Sequence, residues 1–299
     1  MTLIIIWISG RKVNFKLDLC NLSGFANALS TIVCPRESIN ITCQIQIRIP
    51  PKSEKLLEST LLMDIPHSVI VQNLQDALDE QLAPLDDLSR STKPKGFYAA
   101  YRTYEEIVDY VGELHAQFPE LTTIEYLPGK TYEERQIISF KISGPGRTTK
   151  KTEKNVVVMN GGMHAREWIA PASVLFMANS LLEGYKAGDS LITSLVNNLE
   201  FHIIPVLNVD GYIWSHTKAR MWRKNRQPNN GSSCIGTDPN RNFEFKFLNG
   251  GSSTDPCSEV FAGPDSFSAP EARAIASYVE SFENRVLFYA DIHSFSQLW

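Results

Sequence analysis

Asn160-Gly161-Gly162-Met163-His164-Ala165-Arg166-Glu167-Trp168 is the stretch on which the reading of the whole chain turns. Val156-Val157-Val158-Met159 before it is an apolar run of the kind a buried strand requires. Residues 169–182 after it are apolar for long enough to predict a helix. A strand, a glycine turn and charged residues at a helix start form the place where an α/β protein puts its chemistry. His164 and Glu167 stand three apart, so a single turn of backbone can aim both at one point. Imidazole and carboxylate are good zinc ligands, and catalytic zinc often takes two histidines and a glutamate with one position open. Taken alone, this spacing more often marks a solvated charge cluster at a helix N-terminus, so the neighbouring sequence has to decide.

Composition sets outer bounds. The 299 residues are 43% hydrophobic, enough for one large domain or for a large and a small one. A net charge of −4 argues against nucleic acid or an anionic membrane as partner. No apolar run approaches the length of a membrane span. Five cysteines is an odd number, so at least one cannot pair within the chain. Cys20, Cys34 and Cys43 lie early, Cys234 and Cys257 late.

Working outward toward the N-terminus, residues 148–154 read as a polar, mostly basic loop, and 123–126 and 137–142 as short strands joined through Pro128-Gly129. Thr103-Tyr104-Glu105-Glu106 is a capping box, with Ile107, Val111 and Leu114 as the buried stripe of the helix it starts. His115 on that helix reads as a surface residue. Residues 82–94 read as a linker whose Arg90, Lys93 and Lys95 would suit a protease, or equally a plain solvated linker. Leu74, Leu78 and Leu82 recur at helical spacing, and residues 67–71 and 44–49 read as strands. Residues 1–40 stay unassigned, with 3–8 too short for a confident leader core. Asn21, Asn40 and Asn230 begin glycosylation triplets, which arise often by chance.

Toward the C-terminus, residues 201–207 read as a strand that runs into a sharp Asn208-Val209-Asp210-Gly211 turn, with His202 on its outer face. Residues 218–226 hold Lys218, Arg220, Arg223, Lys224 and Arg226. Ser268-Ala269-Pro270-Glu271 reads as a second capping box, starting a helix to about residue 284. Residues 286–292 read as a buried strand leading into His293-Ser294-Phe295-Ser296-Gln297.

Taken together, the Asn160–Trp168 stretch, the Trp222-Arg223-Lys224 loop, Gly236-Thr237-Asp238-Pro239-Asn240-Arg241-Asn242-Phe243 and His293-Ser294-Phe295 resemble the metallocarboxypeptidases of the pancreatic carboxypeptidase A/B type. The resemblance is weak before Arg90 and strong after it. It implies an α/β fold, a mixed central β-sheet flanked by helices, preceded by a small α+β activation segment. The domains it implies are 1–40 as an unassigned leader, 41–90 as the activation segment and 95–299 as the catalytic domain, its last part absent. It implies one Zn²⁺ on His164, Glu167 and His293, with Asp238 orienting the first histidine. It implies Arg223 as the group that polarises the scissile carbonyl, and Arg166, Asn240 and Arg241 as substrate-binding residues. Such an arginine fork matches both oxygens of a terminal carboxylate.

The same resemblance implies a Cys234–Cys257 disulfide, hence an oxidising compartment and secretion. The expected reaction is hydrolysis of the C-terminal peptide bond by zinc-bound water, with peptide and protein C-termini as partners. A zymogen opened by an endoprotease near Arg90, and a monomer, complete the expectation. The family's general-base glutamate and most of its specificity pocket lie in sequence beyond Trp299, so the chain as given is expected to be crippled or a fragment. A zinc-retaining, non-catalytic binder of C-terminal peptides is the alternative.

Overall fold

The computed structural model describes residues 2–8, 29–33, 43–49, 67–71, 73–90, 96–146 and 153–295. The triplets at Asn21 and Asn40, Cys20, Cys34, Lys93, Lys95 and most of the 148–154 loop lie outside the described residues. The chain divides into two compact units, Met1–Lys93 and Pro94–Trp299.

The first unit holds strands β1 (Thr2–Ile8), β2 (Leu29–Val33), β3 (Cys43–Ile49) and β4 (His67–Val71) and helix α1 (Leu74–Arg90). The sheet order is β2-β3-β1-β4, and its three pairings are antiparallel. Thr2–Ile8 thus sits inside this sheet, in a part of the sequence that suggested no element. The leucine repeat does form a helix, but the helix continues to Arg90 through residues expected to be linker. Pro84 does not stop it.

In the second unit, α2 (Tyr104–Gln117) starts at Thr103, with both halves of the capping box made: Glu106 N–H donates to Thr103 Oγ1, and Thr103 N–H to Glu106 Oε2. Ile107, Val111 and Leu114 are its buried stripe. Strands β5 (Thr122–Tyr126), β6 (Ile138–Ile142), β7 (Asn155–Asn160), β8 (Leu199–Ile204) and β9 (Val286–Asp291) form a mixed sheet in the order β5-β6-β8-β7-β9. The β5/β6 and β6/β8 pairs are antiparallel, and β8/β7 and β7/β9 parallel. The parallel crossover from β7 to β8 runs through α3 (Ile169–Lys186) and α4 (Ser190–Asn198). Helix α5 (Val209–Thr217) follows β8, and α6 (Pro270–Glu280) precedes β9. Val156, Val158, Ile203, Ile204, Val174 and Leu175 are essentially sealed from solvent and form the core between β7, β8 and α3. The carboxyl ends of β7, β8 and β9 therefore lie side by side, which is where a parallel sheet offers a crevice.

Five local expectations are corrected. The Asn-x-Asp-Gly turn is a helix start: Asn208 caps α5 by accepting from Gly211 N–H. Ser268 and Glu271 form no capping box. Ala269 is the cap residue of α6, Ser268 Oγ accepts from Asn242, and Glu271 turns inward to Asn225. The helix also ends at Glu280, about a turn earlier than residue 284. Strand β9 forms as expected but is not buried: only β7 flanks it among the described residues, and Leu287, Phe288 and Tyr289 are exposed. His202 is buried rather than outward-facing, because Tyr278 on α6 covers it and shares a hydrogen bond with its Nδ1 at 2.7 Å.

Candidate metal centre

The turn after β7 is built on two glycines, at one of which a side chain would clash and at the other of which it would be strained. A Cβ on Gly161 would lie 2.8 Å from the backbone of Ala170, the first turn of α3. Gly162 has φ +64° and packs against Val206. Backbone bonds from Leu207 N–H to Gly161 and from Asn208 N–H to Gly162 lash this turn to the segment after β8. The turn is thereby held flat at the sheet's carboxyl edge, and His164 and Glu167 project from it just before α3 begins.

His293 arrives from the other side, two residues beyond β9. Its Nδ1 lies 2.8 Å from Glu167 Oε2, and His164 Nδ1 lies 2.9 Å from Glu167 Oε1. The two rings sit 4.5 Å apart, and one ligand atom from each of His164, Glu167 and His293 falls within 4.8 Å of the others. Both rings turn their second nitrogen to a carboxylate. His164 Nε2 is 3.1 Å from Asp238 Oδ1, and His293 Nε2 is 2.7 Å from Asp291 Oδ2. With Nε2 of each ring turned outward to a carboxylate, Nδ1 is the nitrogen that would face a bound cation.

The electrostatics ask for a cation at this point. Burial lowers the basicity of His293, but hydrogen bonds to Asp291 and Glu167 outweigh it and raise its pKa to about 10. Burial pushes Glu167 up, yet its bonds with His164 and His293 bring it down to about 2. Positive charge is thus favoured between the three side chains; the His293 ring carries it as a proton when no ion is bound, and a metal cation would take that proton's place. A His₂Glu set of this kind fits zinc, whose bonds to such donors are about 2.0–2.2 Å long.

Arg223 stands next to this cluster. Its Nη2 and Nε donate to Asp238 Oδ2 at 2.7 and 3.2 Å, and Nη1 is 3.8 Å from Glu167 Oε1. Asn240 Nδ2 lies 3.3 Å from His293 Nε2. Arg241 is oriented by its bonds to the Gly251 and Asn240 carbonyls, both 2.8 Å. Arg166 reaches the Met221 carbonyl at 3.3 Å and Glu259 at 3.0 Å. The Cys234–Cys257 disulfide closes the loop that carries Asp238, Asn240 and Arg241. The structure therefore draws His164, Glu167, His293, Asp238, Arg223 and Asn240 into one cluster, with Arg241 next to Asn240 and Arg166 on the turn between His164 and Glu167.

Asp291 and Asn160 escaped the sequence reading. Asn160 is fully buried and donates to Asp291 Oδ1 at 2.6 Å. Their only signal was an acid two residues before His293 and an amide at the end of an apolar run. Asn208 was likewise read as part of a turn, although its side-chain amide holds the Met163 and Lys224 carbonyls together.

Comparison with known proteins gives this geometry a context. A zinc carboxypeptidase family model matches residues 107–299. Mast cell carboxypeptidase A of Rattus norvegicus is 33% identical over 262 residues, which cover 87% of this chain and 60% of that protein. Carboxypeptidase B of Homo sapiens is 33% identical over 255 residues, covering 85% and 58%. A solved structure of the carboxypeptidase A from Helicoverpa armigera superposes with a TM-score of 0.77 at 26% identity, over 98% of this chain and 70% of that one. The chain spans about 60% of the length of the curated relatives it matches.

Proposed function

The chain belongs to the zinc carboxypeptidase family, and from that premise we propose that it removes C-terminal residues from peptides with one zinc ion held by His164, Glu167 and His293. The observation that carries this reading is the meeting of those three side chains, from segments more than a hundred residues apart, with Arg223 beside them. Zinc bound there supplies Lewis acidity toward a carbonyl oxygen and makes a nucleophile of water at neutral pH.

The protein's own groups do the rest. Arg223 faces the oxygen on which negative charge builds. A fixed guanidinium at that position, shielded from bulk water, lowers the barrier by roughly 3–4 kcal/mol. Asp238 keeps Arg223 and His164 in register, since one carboxylate accepts from both. Asn240 and Arg241 take the substrate's terminal carboxylate, and Arg166 binds the peptide on the same rim. Recognition of that carboxylate makes the enzyme an exopeptidase. Residues 41–90 serve as the activation segment and 95–299 as the catalytic domain, with release by an endoprotease near Arg90 at the end of α1. The Cys234–Cys257 disulfide supports an oxidising compartment, in keeping with a secreted protein, and the zymogen is read as a monomer. No described helix is long and apolar enough to cross a membrane.

The test is to load the purified chain with zinc and offer it one peptide with a free C-terminus and the same peptide amidated. Uptake of one zinc per chain is expected, together with binding of the free peptide in preference to the amidated one and, in keeping with a crippled chain, only slow loss of the last residue from the free peptide alone, all abolished in H293A. Zinc binding with no turnover would point instead to a binder of C-terminal peptides. Equal cleavage of both peptides would remove the carboxylate clamp from the proposal.

A further inference from the structure

Asp291 stands in the same relation to His293 as Asp238 does to His164, although the two carboxylates come from unrelated parts of the fold. We propose that Asp291, braced by Asn160, is the positioning residue for His293 and sets the metal affinity of the centre. This rests on the reading of His164, Glu167 and His293 as the metal ligands.

Strands β7 and β9 are parallel neighbours, and Asn160 and Asp291 face each other in register as their last residues. Ile292 N–H donates to the Asn160 carbonyl at 2.8 Å, which carries the ladder one step further. His293 therefore leaves the sheet from a fixed height and direction. Its Nε2 meets Asp291 Oδ2 at 2.7 Å, and the other oxygen of that carboxylate takes the Asn160 amide at 2.6 Å. Across the ring, Nδ1 faces Glu167 Oε2 at 2.8 Å, and Ser294 N–H donates to the same oxygen at 3.1 Å. Asn160 amide, Asp291 carboxylate and His293 imidazole thus form one line ending at the metal position. A carboxylate that accepts the outer N–H of a ligating histidine fixes its tautomer and ring angle and makes the inner nitrogen a better donor.

The line has a direction. Asn160 Oδ1 is buried and has no hydrogen-bond partner among the described residues, so the amide is spent on donating to Asp291. An amide in place of Asp291 could still accept from His293 and offer its own N–H to Asn160 Oδ1 once the Asn160 amide turned over. The substitution D291N then keeps the line of hydrogen bonds but removes the charge, while D291A removes both.

The experiment measures zinc dissociation constants by chelator competition on the full chain, alongside the visible spectrum of the cobalt-substituted protein. D291A is expected to bind zinc about 10–100-fold more weakly than the wild type. Its cobalt band should shift, because the His293 ring is no longer held. D291N should fall between D291A and wild type, which a merely space-filling role would not produce. Wild-type zinc affinity and an unshifted cobalt spectrum in D291A would overturn the proposal. Should D291A fail to fold, wild-type affinity in D291N together with the same result in N160A would overturn it. A wild-type chain that takes up no zinc would instead remove the metal centre on which the proposal stands.

Discussion

Asp238 and Glu271 are both fully buried in the 94–299 unit, and they live under opposite rules. Asp238, in the loop beside the cluster of His164, Glu167 and His293, accepts from His164, from Asn240 N–H and from two nitrogens of Arg223. Glu271, at the start of α6, accepts on one oxygen from Asn225, and its other oxygen has no partner among the described residues. Burial pushes both pKa values up. Around Asp238 the guanidinium and the imidazole more than reverse this and hold it well below the usual carboxylate range. Around Glu271 nothing of that strength is present, and burial, reinforced by Asp210, carries it to about 7. Depth does not decide whether a buried acid is charged; the number and charge of its donors do. Asn225 joins the two environments, since its amide holds Glu271 while its oxygen accepts from Thr237 N–H, next to Asp238.

That contrast can be broken most severely at Asp238. D238A takes from the Arg223 guanidinium, which is only 13% exposed, its nearer and hydrogen-bonded counter-ion, leaving Glu167 at 3.8 Å, and takes from His164 its brace. Losing one member of a buried ion pair costs about 3–5 kcal/mol. Urea unfolding of the 94–299 unit should show a loss of that size, and a change under about 1 kcal/mol would mean that Asp238 is not the hub described here.

Glu271 sharpens the contrast through pH. Its folded pKa of about 7 lies above its ordinary value of 4.5, so the folded state is the one that prefers the proton. The stability this group contributes is complete below about pH 4.5 and is lost as pH rises through about 7. E271Q carries no charge at any pH. It should therefore be more stable than wild type at pH 8, by about 1–3 kcal/mol, and should lose that advantage at pH 5. Parallel melting curves for both proteins across that range would disprove the shift.

Arg273 offers the gentlest test. It is exposed, bonds the Phe267 carbonyl and draws Glu271 slightly toward ionisation. R273A should move the pH-dependent loss of stability to slightly higher pH while changing neutral stability by less than about 0.5 kcal/mol. A larger effect at all pH values would assign Arg273 a packing role instead.

Where sequence patterns are local, they read well. The Thr103 capping box, the apolar run of β7 and the helix after Trp168 all follow from spacing over fewer than twenty residues, and all are present. The order of motifs was enough to place the chain in its family. What misled was context. Ser268-Ala269-Pro270-Glu271 satisfies the pattern of a helix cap, but Asn242 and Asn225 compete for Ser268 and Glu271 and win. Residues 286–291 are as apolar as β7, yet β9 is exposed because strand burial depends on how many neighbours flank it.

The sequence by itself determined which atoms are available: two imidazoles and a carboxylate at metal-ligand spacing, an arginine beside an aspartate, glycines where a turn must be tight. Only the tertiary structure decided which carboxylate backs which ring, because Asp238 reaches His164 across 74 residues and Asn160 reaches Asp291 across 131. A hydrogen bond is a matter of a few tenths of an ångström between groups whose separation along the chain carries no trace of that distance. The parallel register of β7 and β9 fixes it, and register is a property of the assembled sheet.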